Sequence, residues 1–268
     1  MRPRFRAFVQ TARLAAAGYV GDSPLFLLDY VLRIARVVVL LALWRMILST
    51  PGGEAASVEA GLTLAAVLTY TVIAEAFSEQ LYLRTELDYE IWDGAAIVRF
   101  LRPVTLVGQL LAEVAGRWAF SLAIFSVPLL LVAPLLGVSP LPASPGSGLL
   151  FLPSLVLGAA VGLALEFVFA TIMIYLNLNI WVLRSLRSAI GTILAGSLIP
   201  LALLPAGLGD LFSYLPFAAM ASAPLRIYTG TGPPLVLMLS QLTWAVALGY
   251  LAGRLWEASR ERIAGYGG

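Results

Sequence analysis

The residues best equipped for chemistry are carboxylates. Glu86, Asp88, Glu90 and Asp93 stand close together, interleaved with Tyr89 and Trp92. Oxygen ligands at that spacing could hold a hard divalent cation, or they could meet the cations of a partner surface. Another acid, Glu166, stands alone in the apolar run Leu163-Ala164-Leu165-Glu166-Phe167-Val168. Beyond these the inventory is thin: the chain has no histidine and no cysteine, and its seventeen basic residues are all arginine. Without lysine there is no P-loop lysine and no Schiff base; without histidine or cysteine there is no imidazole base, thiolate or zinc ligand set. The acidic run matches no complete metal motif.

The elements that carry these groups belong in lipid. Only 12% of the residues are charged and 60% are hydrophobic, with a mean hydropathy of +0.91, too little polar surface to cover a soluble globule. A spanning helix takes about 20 mainly apolar residues, because no water is available there to satisfy the backbone. Six stretches qualify, near 25–48, 60–80, 106–135, 149–176, 188–206 and 234–256. The expectation is an all-α integral membrane protein with an interfacial helix over residues 1–24 and a single six-helix domain over 25–268. Ser49-Thr50-Pro51-Gly52-Gly53 reads as a turn between the first two spans. Pro200 and Pro205 should kink or end the fifth.

Arginine placement predicts orientation, since positive short loops stay cytoplasmic. Arg2, Arg4, Arg6 and Arg13 precede the first span, Arg84, Arg99 and Arg102 follow the second, Arg184 and Arg187 follow the fourth, and Arg254, Arg260 and Arg262 end the chain. Both termini are thereby expected in the cytoplasm. The amino-terminal segment interleaves Phe5, Phe8, Val9 and Leu14 with Arg6, Gln10 and Arg13. It lacks the sustained apolar core of a signal peptide and reads as a helix in the membrane interface, or as a tail carrying topogenic charge.

The segment from Ser78 to Gly94 departs from the positive-inside trend. Leu83, Leu87 and Ile91 recur at a spacing of four and fall on one face of an expected helix, while Tyr82, Tyr89 and Trp92 lie among acids. Aromatics beside charge suit a surface that meets another protein; a solvated loop helix explains the acids alone. Gly94 is placed to end that helix and Pro103 to begin the next, unless Pro103 only starts the third span.

Within the spans, Glu166 must pair across helices, face a wet cavity or hold a proton, because an ionisable group at mid-membrane costs about 2.5 to 3.5 kcal/mol. Glu113 and Arg117, four apart, are placed to pair with each other. Gly158 and Gly162, with Gly191 and Ala195, have the spacing that lets helices approach closely, inside the chain or across a dimer. The long apolar connection 207–233 should dip back into the outer leaflet, divided by Pro216 and Pro224, or lie on the outer lipid surface.

Several short motifs in order along the chain resemble the ABC-2 type export permeases, particularly a six-span, viologen-exporter-like or daunorubicin-type subfamily. They are Leu43-Trp44-Arg45; Ile91, Gly94 and Leu101-Arg102-Pro103; Leu215-Pro216-Phe217, Pro224, Ile227-Tyr228 and Gly230; and Trp256, Arg260 and Gly267-Gly268. The resemblance implies a transmembrane subunit that moves a hydrophobic or amphipathic substrate outward. It would pair with a second permease, identical or homologous, in a bacterial or archaeal cytoplasmic membrane, and with two copies of a separate ATP-binding subunit carrying the ATP and Mg. Glu86, Asp88, Tyr89, Glu90, Trp92 and Asp93 would then form a coupling helix on the ATPase, with Arg99 and Arg102 transmitting its motion. Leu215, Pro216, Phe217 and Pro224 would lie in an outer gate of two short re-entrant helices. The chain itself is expected to bind no cofactor or metal, to have no catalytic residue, and to take no nucleic acid as partner. Readings from other classes are a stand-alone carrier or channel, and an intramembrane enzyme built on the acidic run.

Overall fold

The computed structural model describes residues 3–21, 26–102, 104–176 and 178–265. Pro103 and the terminal Gly267-Gly268, both singled out above, lie outside them, as does the side chain of Arg260. Every regular element among the described residues is helical. In chain order they are α1 (Pro3–Gly21), α2 (Phe26–Leu48), α3 (Pro51–Glu59), α4 (Leu64–Ala76), α5 (Ser78–Leu81), α6 (Leu87–Trp92), α7 (Ala96–Phe100), α8 (Leu106–Ser121) and α9 (Val127–Val132). They continue with α10 (Pro145–Leu176), α11 (Ile180–Leu194), α12 (Leu208–Ser213), α13 (Pro216–Met220), α14 (Ser222–Thr229) and α15 (Pro234–Gly265).

Among the described residues three helical stretches are long and apolar enough to cross a membrane: Leu106–Leu136, Pro145–Leu176 and Pro234–Ser259. A fourth is reached if α3 and α4, bent by 78° at their junction, count as one span. The first stretch is continuous from α8 to α9 through a π turn, Leu122–Ser126, just before Pro128. Widening the helix there accommodates a residue with no N–H to give. The Ser126 hydroxyl donates to the Ala76 carbonyl at 2.6 Å, at the point where α4 stops. Gly137, at φ +73°, closes the far end in a conformation that favours glycine.

α10 is the axis of the molecule. α15, α14, α13 and α6 pack around it, and its small residues admit them closely. A Cβ on Gly158 would stand 2.6 Å from the Met220 carbonyl oxygen, and one on Gly162 3.1 Å from the Met220 sulfur. That glycine pair therefore serves packing within the chain. Trp256 of α15 stacks edge-on against Phe167 of α10.

Three expectations need correction. Ser49 to Gly53 is more than a turn: the Thr50 hydroxyl accepts from the Gly53 N–H at 3.1 Å and Pro51 occupies the first helical position, so the segment starts α3. The acidic segment is two short helices, because the chain leaves helical geometry at Tyr82 and re-enters only at Leu87. Leu83, Leu87 and Ile91 are nevertheless all buried. α8 begins at Leu106, where the third span was expected to start, with Thr105 as its cap, its hydroxyl accepting from the Gly108 N–H at 3.2 Å. Connection 207–233 holds three short helices, of which α13 and α14 are largely buried. The helix expected over 188–206 runs instead from Ile180 to Leu194, stopping just before Gly196 at φ +69° and short of Pro200.

Candidate functional site

The acidic segment is braced from two sides by arginine. On one side stands Arg184, from the first turns of α11. Its guanidinium reaches both Asp88 oxygens, Nε to Oδ2 at 2.9 Å and Nη2 to Oδ1 at 2.7 Å, and also Glu86 at 2.8 Å. Hydrogen bonding to Asp88 holds the Arg184 pKa above its ordinary value against the lowering effect of burial, and Glu86 adds to the rise. The Tyr89 ring lies 5.7 Å from the same guanidinium.

On the other side Arg99, from α7, stands between two carboxylates. It donates to both Glu90 oxygens and to Glu113 of α8, the latter at 2.7 and 3.0 Å. Burial alone would lower the Arg99 pKa; the hydrogen bonds it donates to Glu90 and Glu113 outweigh it and leave it raised. Neither arginine titrates at any pH the protein meets. Glu113 thus serves Arg99, and Arg117 instead donates to the Arg84 carbonyl. The pairing of Glu113 with Arg117 on one helix is overturned because Arg99 approaches from α7 with two donors in fork geometry. Gln109, buried on α8, completes this side by donating to the carbonyls of Arg99 and Val104 at 2.9 and 2.8 Å. Arg102 reaches only the Gln109 oxygen, at 3.4 Å.

Asp88 and Arg99 are therefore turned into the chain. What the segment shows outward is aromatic and aliphatic: Tyr89, Trp92, Ile97, Val98, Phe100 and Leu101 are all exposed, Leu101 at 81%. Tyr89 and Trp92 lie side by side with ring centroids 5.7 Å apart, and Asp93 accepts from the Ala95 N–H at 2.9 Å. Glu86 remains half-exposed beside Arg184.

Glu166 is not isolated. It pairs with Arg187 of α11 at 2.7 Å, and the same oxygen accepts from the Thr85 N–H at 3.1 Å. Arg187 also donates to the Leu83 carbonyl at 3.1 Å. Of the three outcomes open to a mid-span acid, the one observed is pairing across helices. The contact ties α10 and α11 to the loop that leads into α6. Sequence reasoning missed this because Arg187 is distant along the chain and had been given only a topogenic role.

Above the braces lies a cavity of about 480 Å³ between α2, α4, α10, α11 and α13. Arg33, Arg36, Arg84, Arg184 and Arg187 line it together with Leu165, Phe217 and Met220. Arg33 bonds Glu79 at 2.7 Å and Ser78 at 3.1 Å, and Arg36 meets Glu75 at 3.1 Å. The charges of α2 are thus neutralised by α4 and α5. Gln241 of α15, fully buried, donates to the carbonyls of Ala219 and Ser154 at 2.8 and 3.0 Å and accepts from the Ser154 hydroxyl at 2.9 Å. It satisfies the carbonyl left free where α13 breaks before α14. Of the expected gate residues, Phe217 lines the cavity; Leu215 and Pro216 open α13 and Pro224 lies buried in α14.

An all-helical chain of long apolar helices, with a charged cavity at one end and a braced acidic segment beneath it, defines a multi-pass membrane protein. A family model described as ABC-2 family transporter protein matches residues 32–267, and the chain belongs to that family. It is a permease subunit of an ABC transporter, and association with an ATP-binding subunit follows from the family. No curated relative and no solved structure matches the chain.

Proposed function

We propose that the chain is the transmembrane half of an exporter, with six spans and both termini in the cytoplasm of a bacterial or archaeal cell, working beside a second permease and two ATP-binding subunits that carry ATP and Mg. The permease has no lysine and hence no P-loop of its own. α2 is read as a span despite Arg33 and Arg36 because Glu79 and Glu75 pair them. α11 at 1.5 Å per residue is too short to cross alone, and the irregular chain beyond it, packed in protein, would complete the fifth span. α1, packed along α8, would rest at the cytoplasmic interface.

One observation carries the coupling role: Tyr89 and Trp92 are exposed on a short helix whose buried side is bonded to three spans. A push on those rings would reach α11 through Arg184, α10 through the Glu166–Arg187 pair, and α8 through Arg99 and Glu113. The outward surface is apolar, so contact with the ATPase rests on aromatic burial, with Glu86 and Asp93 at its rim setting encounter and orientation. Phe217, held by α13 and lining the cavity, would be part of the outer gate with Leu215, Pro216 and Pro224.

The test is the double variant Tyr89→Ala/Trp92→Ala, purified from native membranes. Loss of about tenfold or more of the co-purifying ATPase is expected, from two aromatic anchors each worth about 2 kcal/mol, with the permease still monodisperse. Undiminished recovery of the ATPase, with normal substrate-stimulated hydrolysis, would sink the assignment.

A further inference from the structure

The cavity's walls are of two kinds: arginines and carboxylates share the lining with Leu165, Phe217 and Met220. A volume of about 480 Å³ falls in the range of sites that take a drug-sized molecule. A lining that sets guanidiniums beside apolar side chains calls for an amphiphile, with its polar head on arginine and its chain against Phe217 and Met220.

The sign of the head follows from which charges are already engaged. Each lining carboxylate is held by an arginine: Glu75 by Arg36, Glu79 by Arg33, and Glu86 and Asp88 by Arg184. Arg187 is held in turn by Glu166. A cationic head would have to displace a guanidinium from any carboxylate it approached. An anionic head meets open donors. Arg84 has no ion-pair partner among the described residues, and Arg36, with 56% of its side chain exposed, has a single carboxylate at 3.1 Å. A guanidinium carries five N–H donors, so Arg36 can keep Glu75 and still bond an incoming oxyanion.

Resting on the permease reading, we infer that the transported molecule is an anionic amphiphile, with a phosphate or carboxylate head received by Arg36 and Arg84 in the cavity.

The experiment is equilibrium binding to the full chain in discs of zwitterionic lipid, without the ATPase, read from intrinsic tryptophan fluorescence. The probes share a twelve-carbon chain: dodecyl phosphate, dodecanoate and dodecyltrimethylammonium, with inorganic phosphate as the chainless control. Binding of either anionic probe about tenfold or more tighter than the cation is expected, and its weakening by a similar factor in Arg36→Gln/Arg84→Gln. Arg84→Gln alone, which removes no ion pair, keeps the readout independent of folding and should itself weaken the anion but not the cation. The two anions decide between phosphate and carboxylate heads. Equal affinity for cation and anion, indifference to the arginine variants, or inorganic phosphate binding as tightly as dodecyl phosphate would each overturn the proposal. Because the ATPase is absent, these results stand apart from the co-purification that tests the coupling surface.

Discussion

Arg99 shows how one residue converts a surface motif into a joint. Its side chain is 6% exposed and faces Glu90 and Glu113, each about one-fifth exposed. Removing the cation would leave two carboxylates facing each other with little water, and truncating one member of a buried charge cluster costs about 3 to 5 kcal/mol. Arg99→Met is expected to lower the unfolding free energy by that amount in detergent, read by denaturant titration. Adding Glu90→Gln and Glu113→Gln should restore most of it, since the loss comes from unpaired charge. If the triple variant is no more stable than the single one, Arg99 acts through packing instead. Arg99→Lys should fall between, because an ammonium cannot make the paired fork to two carboxylates. In the sequence Arg99 was legible as a participant, but its partner was not: nothing in the spacing says that Glu113 looks toward α7 and not along its own helix to Arg117.

At the scale of elements, the apolar lengths of α10, α15 and the α8–α9 stretch were legible because twenty or more apolar residues have few alternatives. The breaks were not. The chain leaves helical geometry at Tyr82 with no proline or glycine to announce it; Tyr82 bonds Ser197, while Arg187 and Arg117 take the carbonyls of Leu83 and Arg84. Backbone groups freed from a helix are satisfied by side chains from elsewhere, and that trade is invisible to local pattern. Gly116 gives the converse case, an unremarkable glycine fixed by a distant helix. A Cβ there would stand 2.0 Å from the Ala12 carbonyl oxygen, so α1 seats on α8 only because residue 116 has no side chain. Gly116→Val is expected to speed amide hydrogen exchange throughout α1 by about tenfold or more, given about 1 to 3 kcal/mol for overpacking. The helicity of α8 should be unchanged. Gly249→Val is the control, since no atom lies within 4 Å of its added Cβ. Equal protection of α1 in both variants would mean that α1 does not depend on this contact.

For the whole molecule, the arginines serve two ends at once, and that is why topology and site are read from the same residues. Arg33, Arg36, Arg184 and Arg187 lie at one end of the helices, where they would hold that end in the cytoplasm; the same four face the cavity. Orientation and ligand chemistry are thereby linked, and a chain inserted the other way would present its arginine-rich cavity to the outside. The absence of cysteine makes the point measurable, because any introduced thiol is the only one. Gly52→Cys places it in the first turn of α3, where a Cβ meets nothing within 4 Å, and Leu101→Cys places it on a residue 81% exposed beyond α7. With an impermeant maleimide, Gly52→Cys is expected to label in right-side-out vesicles and Leu101→Cys only in inverted ones. Labelling of both from one side would mean that α3 and α4 make no net crossing between positions 52 and 101. The six-span reading would then fail, while the helices, their braces and the family assignment would stand.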